Sequence, residues 1–178
     1  MSFYRLLGTA VAQLFLIFLI ISPELITRMT GREITLKVSK ALEDGIIVQS
    51  SLNLKFKHLD YGSLLAQADY TPPLYPGQKV FIPLRQEGEV WVPKKGFQSK
   101  KPEGEVFVTA KVSFSRFSSK DCLRFSKLIF DFENYFVPDW AIKEWFSLES
   151  RDVKAKLLVD KSGHAALVKL IVNGSPWP

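Results

Sequence analysis

Between Leu6 and Ile21 the only polar side chains are Thr9 and Gln13, and Phe3 and Tyr4 carry the apolar character toward the N-terminus. At ~1.5 Å per residue, a helix from Phe3 to Ser22 reaches about 30 Å, the hydrocarbon thickness of a bilayer. Pro23 is expected to stop that helix at the interface, because a proline lacks the N–H and clashes with the preceding turn. A helix buried in a soluble core would show a polar stripe, which this run lacks. A cleavable signal peptide needs a small-x-small site just beyond its apolar core, and the chain instead reads Ser22-Pro23-Glu24-Leu25-Ile26. The segment is therefore read as an uncleaved single-pass signal anchor over residues 1–23, followed by a connector over 24–32 that holds Arg28 and Arg32.

Within the anchor, Gly8 and Ala12 are four apart and share a helix face, with Thr9 and Gln13 beside them. Two small residues at this spacing let a second helix approach closely, and an amide at Gln13 gains a partner it lacks in lipid. Gly8, Ala12 and Gln13 are the expected helix-contact residues. Small pairs are also frequent in any apolar helix, so an ordinary stretch of anchor is the alternative.

After the connector the pattern changes to alternation of period two, the mark of half-buried strands. Ile34, Leu36 and Val38 alternate with Glu33, Thr35 and Lys37; Leu52, Leu54 and Phe56 alternate with Asn53, Lys55 and Lys57. Pro76-Gly77 fits the second and third positions of a turn, ahead of Val80, Ile82 and Leu84, and Val90 and Val92 follow a turn at Glu87-Gly88. The longest alternation runs through Val106, Val108, Ala110, Val112 and Phe114, with Thr109, Lys111, Ser113 and Ser115 on the other face. Phe125 to Phe132 reads as a further strand. Val153, Ala155, Leu157 and Val159 match Ala165 and Leu167 across Asp160-Lys161-Ser162-Gly163 as a terminal hairpin.

One helix is expected among the strands: Pro138-Asp139 starts it, and Ala141, Ile142, Trp145, Phe146 and Leu148 recur at helical spacing to cover one side of the sheet. The fold class that follows is mainly β, an N-terminal transmembrane helix followed over residues 33–178 by a small antiparallel barrel or sandwich with one helix. With 178 residues, a second independent core is not expected.

Several stretches, taken together, resemble the bacterial membrane-anchored family named for a GDYxxLxY motif. They are Thr30-Gly31-Arg32-Glu33-Ile34 after the anchor, Pro76 to Phe81, Gly88 to Val92 around Trp91, Gly104-Glu105-Val106, Glu133 to Pro138, and Val159 to Leu167. Where the naming motif should lie the chain reads Gln49-Ser50-Ser51-Leu52-Asn53-Leu54-Lys55-Phe56, so only Leu54 and Phe56 fit and the motif is degenerate. The resemblance implies an anchored, β-rich protein linked with multi-pass membrane proteins, and it implies architecture more than mechanism. It also directs attention to Glu133, Tyr135, Phe136 and Pro138 as an interaction or structural motif.

Catalytic and metal signatures are sparse. Cys122 stands alone, so an internal disulfide and a Cys-based zinc site are excluded. His58 and His164 lack a second ligand-type residue at metal spacing, and neither HExxH, GxSxG nor a phosphate loop is present. The densest acidic group is Asp131, Glu133 and Asp139 around Tyr135 and Phe136. Asp131 and Glu133, two apart, are expected on one strand face, where they could bind a hard cation or act as an acid/base pair. The competing reading makes Asp139 a helix cap and Tyr135 to Pro138 a wedge at a bend. No cofactor and no metal is expected.

The net charge of +6 favours an anionic contact. Lys94, Lys95, Lys100 and Lys101 fall in a loop-like stretch, whereas Lys37, Lys40, Lys55 and Lys57 are interleaved with strand residues, which reads as solvated surface rather than a polyanion site. A basic, aromatic β domain also permits a nucleic-acid binder, but most aromatics sit at core positions and the anchor argues against it. The expectation is a non-enzymatic accessory, assembly or stabilising subunit of a membrane complex. Its partner would be a multi-pass integral membrane protein, with anionic lipid headgroups as a further contact. The alternative is an anchored enzyme or cation-binding domain using Asp131, Glu133 and Tyr135. More Lys and Arg follow the span than precede it, which favours a cytoplasmic domain, while the family resemblance and signal-anchor position favour the extracytoplasmic side, which is the one expected.

Overall fold

Pro23 does not end the first helix. In a computed structural model describing residues 2–39, 51–67, 74–114, 126–147 and 152–177, helix α1 runs from Ser2 to Thr30 and takes in most of the expected connector. A proline removes one backbone bond and bends a helix, but it stops one only when nothing downstream holds the chain. Here the last two turns are held. Thr27 is buried, its Oγ1 donates to Asp160 Oδ2 at 2.9 Å, and Gly31 N donates to Thr27 O at 2.9 Å. Arg28 and Glu24 add an exposed i,i+4 pair at 2.9 Å.

The described side chains of α1 form two stretches, 7–18 and 24–30, and among the described residues no helix is long and apolar enough to cross a membrane. Its apolar residues are nevertheless bare: Leu7, Val11 and the consecutive Leu14, Phe15, Leu16, Ile17 and Phe18 are each 52% to 67% exposed. Successive helical residues are turned by about 100°, so five in a row leave no polar side.

From Arg32 the chain is mainly β, in antiparallel sheets that curl into a half barrel. Strands β1 (Arg32–Ser39), β2 (Ser51–Asn53) and β3 (Lys55–Phe56) lead into helix α2 (Tyr61–Ala66). Then come β4 (Lys79–Glu87), β5 (Val90–Pro93), β6 (Phe107–Phe114), β7 (Ser126–Ile129) and β8 (Asn134–Phe136). Helix α3 (Asp139–Ser147) precedes β9 (Val153–Val159), β10 (Ala165–Val172) and β11 (Ser175–Trp177).

The five-stranded sheet has the order β11-β10-β9-β1-β3, the four-stranded one β5-β4-β6-β7, and β2 pairs with β8 alone. The first strand thus lies against the last hairpin, with Ile34 opposite Leu157 and Leu36 opposite Ala155. Its alternation is as expected: Ile34, Leu36 and Val38 are buried and join Leu157, Ala155 and Val159 in the core. The terminal hairpin also pairs as expected, Ala165 with Val159 and Leu167 with Leu157. Gly77 and Gly88, both at positive φ, make the turns before β4 and β5.

Several expectations are corrected. Leu52, Leu54 and Phe56 are all buried but do not share one strand: Leu54 N donates to Glu133 O at 2.7 Å, and there the chain passes from pairing with β8 to pairing with β1. The strand expected through Phe132 ends at Ile129, after which Phe130 and Phe132 turn into the core and pack 5.2 Å apart. Thr109 is buried although it faces away from Val108 and Ala110. The hairpin turn lies over it, and Thr109 donates to Gly163 O from both N (3.0 Å) and Oγ1 (3.1 Å).

A second helix, α2, was not expected. Asp60 caps it by accepting from Ser63 N at 2.9 Å, and Leu64 fills the core. In α3, Ala141 and Ile142 are buried, and Trp145 meets Trp177 of β11 at 5.2 Å, so this helix covers the sheet as its spacing requires. Lys40, Gln49, Ser50, Ser115, Cys122, Phe125 and Leu148 lie outside the described residues.

Candidate functional site

The end of α1 is the junction on which the candidate site is built. Gly31 lies so close to β9 that a Cβ there would stand 3.0 Å from Leu158 Cβ and 2.4 Å from Thr27 O, so only glycine lets the helix turn directly into β1. Asp160, opening the β9–β10 turn, receives Ser162 N, Ser162 Oγ and His164 N on Oδ1 and Thr27 Oγ1 on Oδ2. Burial works against this charge, but the hydrogen bonds from Ser162, Thr27 and His164 outweigh it and hold the carboxyl below its usual range.

Beside this junction is a groove of about 700 Å³. Glu24, Thr27 and Arg28 form its α1 wall; Asp131 and Phe132 come from the β7–β8 connection; Asn134, Tyr135 and Phe136 come from β8. The floor is the chain from His164 to Val168. His164 Nδ1 lies 3.5 Å from Asp131 Oδ2, both half-exposed, so this histidine does meet an acidic residue, through the fold rather than through sequence spacing.

The structure separates the expected acidic pair. Asp131 lies in a turn, exposed at the groove, while Glu133 is partly buried beyond it and does not line the groove. Residues 131–133 are a turn instead of a strand, so spacing of two does not put them on one face. Burial pushes the Glu133 carboxyl up, against smaller lowering effects from the Phe130 backbone and Lys127, and burial likewise raises the Tyr135 phenol. Asp139 is the first residue of α3, and Pro138 O accepts from Ala141 and Ile142. Among the described residues no group of three His, Cys, Asp or Glu side chains could hold a metal ion.

Of the expected interaction motif, Tyr135 is half-buried at the groove, whereas Phe136 is 76% exposed on its rim and Pro138 is exposed beyond it. Phe136 is therefore no core wedge, and only Val137 of that stretch is buried. Gly8, Ala12 and Gln13 are exposed on α1, and a Cβ added at Gly8 would meet nothing within 4 Å. Thr27, Arg28, Asp160 and His164 were not singled out by sequence reasoning as a group. The Asp160-x-Ser162 turn was readable, but its partner on α1 lies 133 positions away.

Several lysines are paired with acidic side chains from other segments. Lys37 meets Asp152 at 3.2 Å, Lys154 meets Glu89 at 3.0 Å, Lys156 meets Glu33 at 2.6 Å, and Lys94 pairs with Glu105. Arg32 lies over the Trp91 ring at 5.0 Å, tying β1 to β5. No family model, no curated protein and no solved structure matches the chain. The resemblance to the GDYxxLxY family thus rests on the quoted residues alone.

Proposed function

We propose that the chain is a single-pass membrane-anchored accessory or stabilising subunit of a larger membrane complex, with no catalysis of its own. The observation that carries this reading is the apolar surface of α1, bare on every side from Leu14 to Phe18. Such a surface favours an apolar surrounding, and the sequence continues it from Leu6 to Ile21, about 24 Å of helix at ~1.5 Å per residue, with Phe3 and Tyr4 beyond Arg5 extending it toward the ~30 Å of a bilayer's hydrocarbon. Direct attachment of the helix to the β domain through Thr27, Asp160 and Gly31 supports a role in which anchor and domain act together. The partner is a multi-pass integral membrane protein contacted by Gly8, Ala12 and Gln13 in the bilayer. The β domain rests on that partner's extramembrane loops, on the extracytoplasmic side.

The test is gentle detergent extraction of the native protein followed by sizing and identification of what travels with it. Comigration with a multi-pass protein is expected. A chain that runs alone, with a turnover abolished by Glu133→Ala in a folded protein, would replace this reading with the enzyme reading. What favours that second reading is the raised carboxyl of Glu133, a partly buried acid beside Tyr135.

A further inference from the structure

We propose that the groove beside α1 sits in the phospholipid headgroup layer, with Phe136 and Val168 entering the membrane interface next to the helix. This inference rests on the reading of α1 as a span and goes on to fix how the β domain stands on the bilayer.

The height of the groove follows from the length of α1. Its 29 residues measure about 43 Å at ~1.5 Å per residue, close to the ~40–45 Å of a bilayer counted with its headgroups. If the apolar run fills the hydrocarbon, Glu24 to Arg28 lie in the headgroup layer. Phe136 and Val168 line the same groove as Glu24 and Arg28, which brings them near that layer.

The chemistry agrees with that height. Phe136 is 76% exposed and Val168 43% exposed, and Leu25 and Met29 are bare on the last turns of the helix itself. Apolar side chains exposed at this depth find a suitable medium in the interface, where aromatic and aliphatic groups dip below the headgroups. The same groove carries Glu24, Arg28, Asp131 and His164, which suit the hydrated, polar headgroup layer. The bond from Thr27 to Asp160 and the close approach of Gly31 to Leu158 and Val159 oppose a swing of this face away from the helix.

The experiment uses the full chain, with Cys122→Ser, reconstituted in phosphatidylcholine vesicles. Single cysteines at Phe136, Val168, Phe15 and Glu103 carry an environment-sensitive fluorophore, and the lipids carry nitroxide quenchers either at the headgroup or in mid-chain. Expected are blue-shifted emission and strong headgroup quenching at 136 and 168, mid-chain quenching at 15, and neither at 103. If 136 and 168 report water like 103 while 15 is quenched in mid-chain, the span stands and the seated groove is overturned. The same result follows if 136 and 168 become shielded only when a protein partner is added. If 15 also reports water, the span fails and the inference falls with it. Position 168 supplies an independent readout should the label at 136 perturb the fold.

Discussion

Thr27 Oγ1 donates to Asp160 Oδ2 at 2.9 Å, joining the end of α1 to the turn between β9 and β10. Two of the domain's most distant segments are thereby made into one joint. Thr27→Val keeps the shape and removes the donor, leaving Asp160 with the bonds from its own turn. A loss of about 1–2 kcal/mol is expected, measured by denaturant unfolding of the intact chain in detergent. Because the folded-state carboxyl lies below its usual value, its contribution is present above the unfolded pKa of ~3.9 and is lost as pH falls through the lower folded value. Asp160→Asn should therefore be less stable than the natural chain at pH 7, with the difference shrinking below about pH 4. A difference that stays constant with pH would mean that this charge is not what stabilises the joint.

Gly163 occupies φ +81 with a would-be Cβ only 2.4 Å from Phe107 Cε2 and 2.8 Å from Thr109 Cγ2. Gly174 has a similar φ of +84 but open space around it. Gly174→Ala should cost about 1 kcal/mol from backbone strain alone, and Gly163→Ala about 2–4 kcal/mol, because a buried Phe107 cannot swing aside. Equal losses in urea unfolding would show that the hairpin turn is not packed against β6.

These two sites mark where the sequence is readable and where it is not. Alternation disclosed the buried faces of Ile34, Leu36 and Val38 and of Val153 to Val159, because a strand with one wet face must repeat every two residues. It misassigned Thr109, since a turn from a distant hairpin covers the face that a polar residue would otherwise show to water. Pro23 carried a genuine local stop signal that the Thr27–Asp160 contact overrides. The short α2 had a readable cap in Asp60 and Ser63, but too few residues to show a helical period. The groove could not be read at all: Asp131 meets His164, and Glu24 meets the same space as Phe136, only because three separate segments converge.

Glu133 is held partly buried with its carboxyl raised, so its protonated form is favoured by folding. For a raised acid, the contribution to stability is full below the unfolded pKa of ~4.3 and is lost as pH rises through the folded value. Glu133→Gln should consequently be more stable than the natural chain at pH 7 and indistinguishable from it below about pH 4. Thermal unfolding at both pH values checks this, and a destabilised glutamine variant at pH 7 would mean that the ionised carboxylate has a partner the fold relies on.

Gly8 and Ala12 stand on one exposed face of α1, and nothing lies within 4 Å of a Cβ placed at Gly8. An apolar helix needs no small residues to sit in lipid, but a neighbouring helix needs them to come close, since association in a bilayer depends on tight van der Waals packing. Gln13 beside them can then hydrogen-bond across the contact instead of facing hydrocarbon, an exchange of about 1 kcal/mol. Gly8→Leu with Ala12→Leu keeps the helix apolar and blocks the approach, so membrane insertion should be unchanged while co-purification with the integral membrane partner drops roughly tenfold, the equivalent of ~1.4 kcal/mol of lost association. Gln13→Leu alone should give a smaller drop. If the double variant recovers the same partner at the same yield, this face is ordinary anchor, and the β domain alone carries the association.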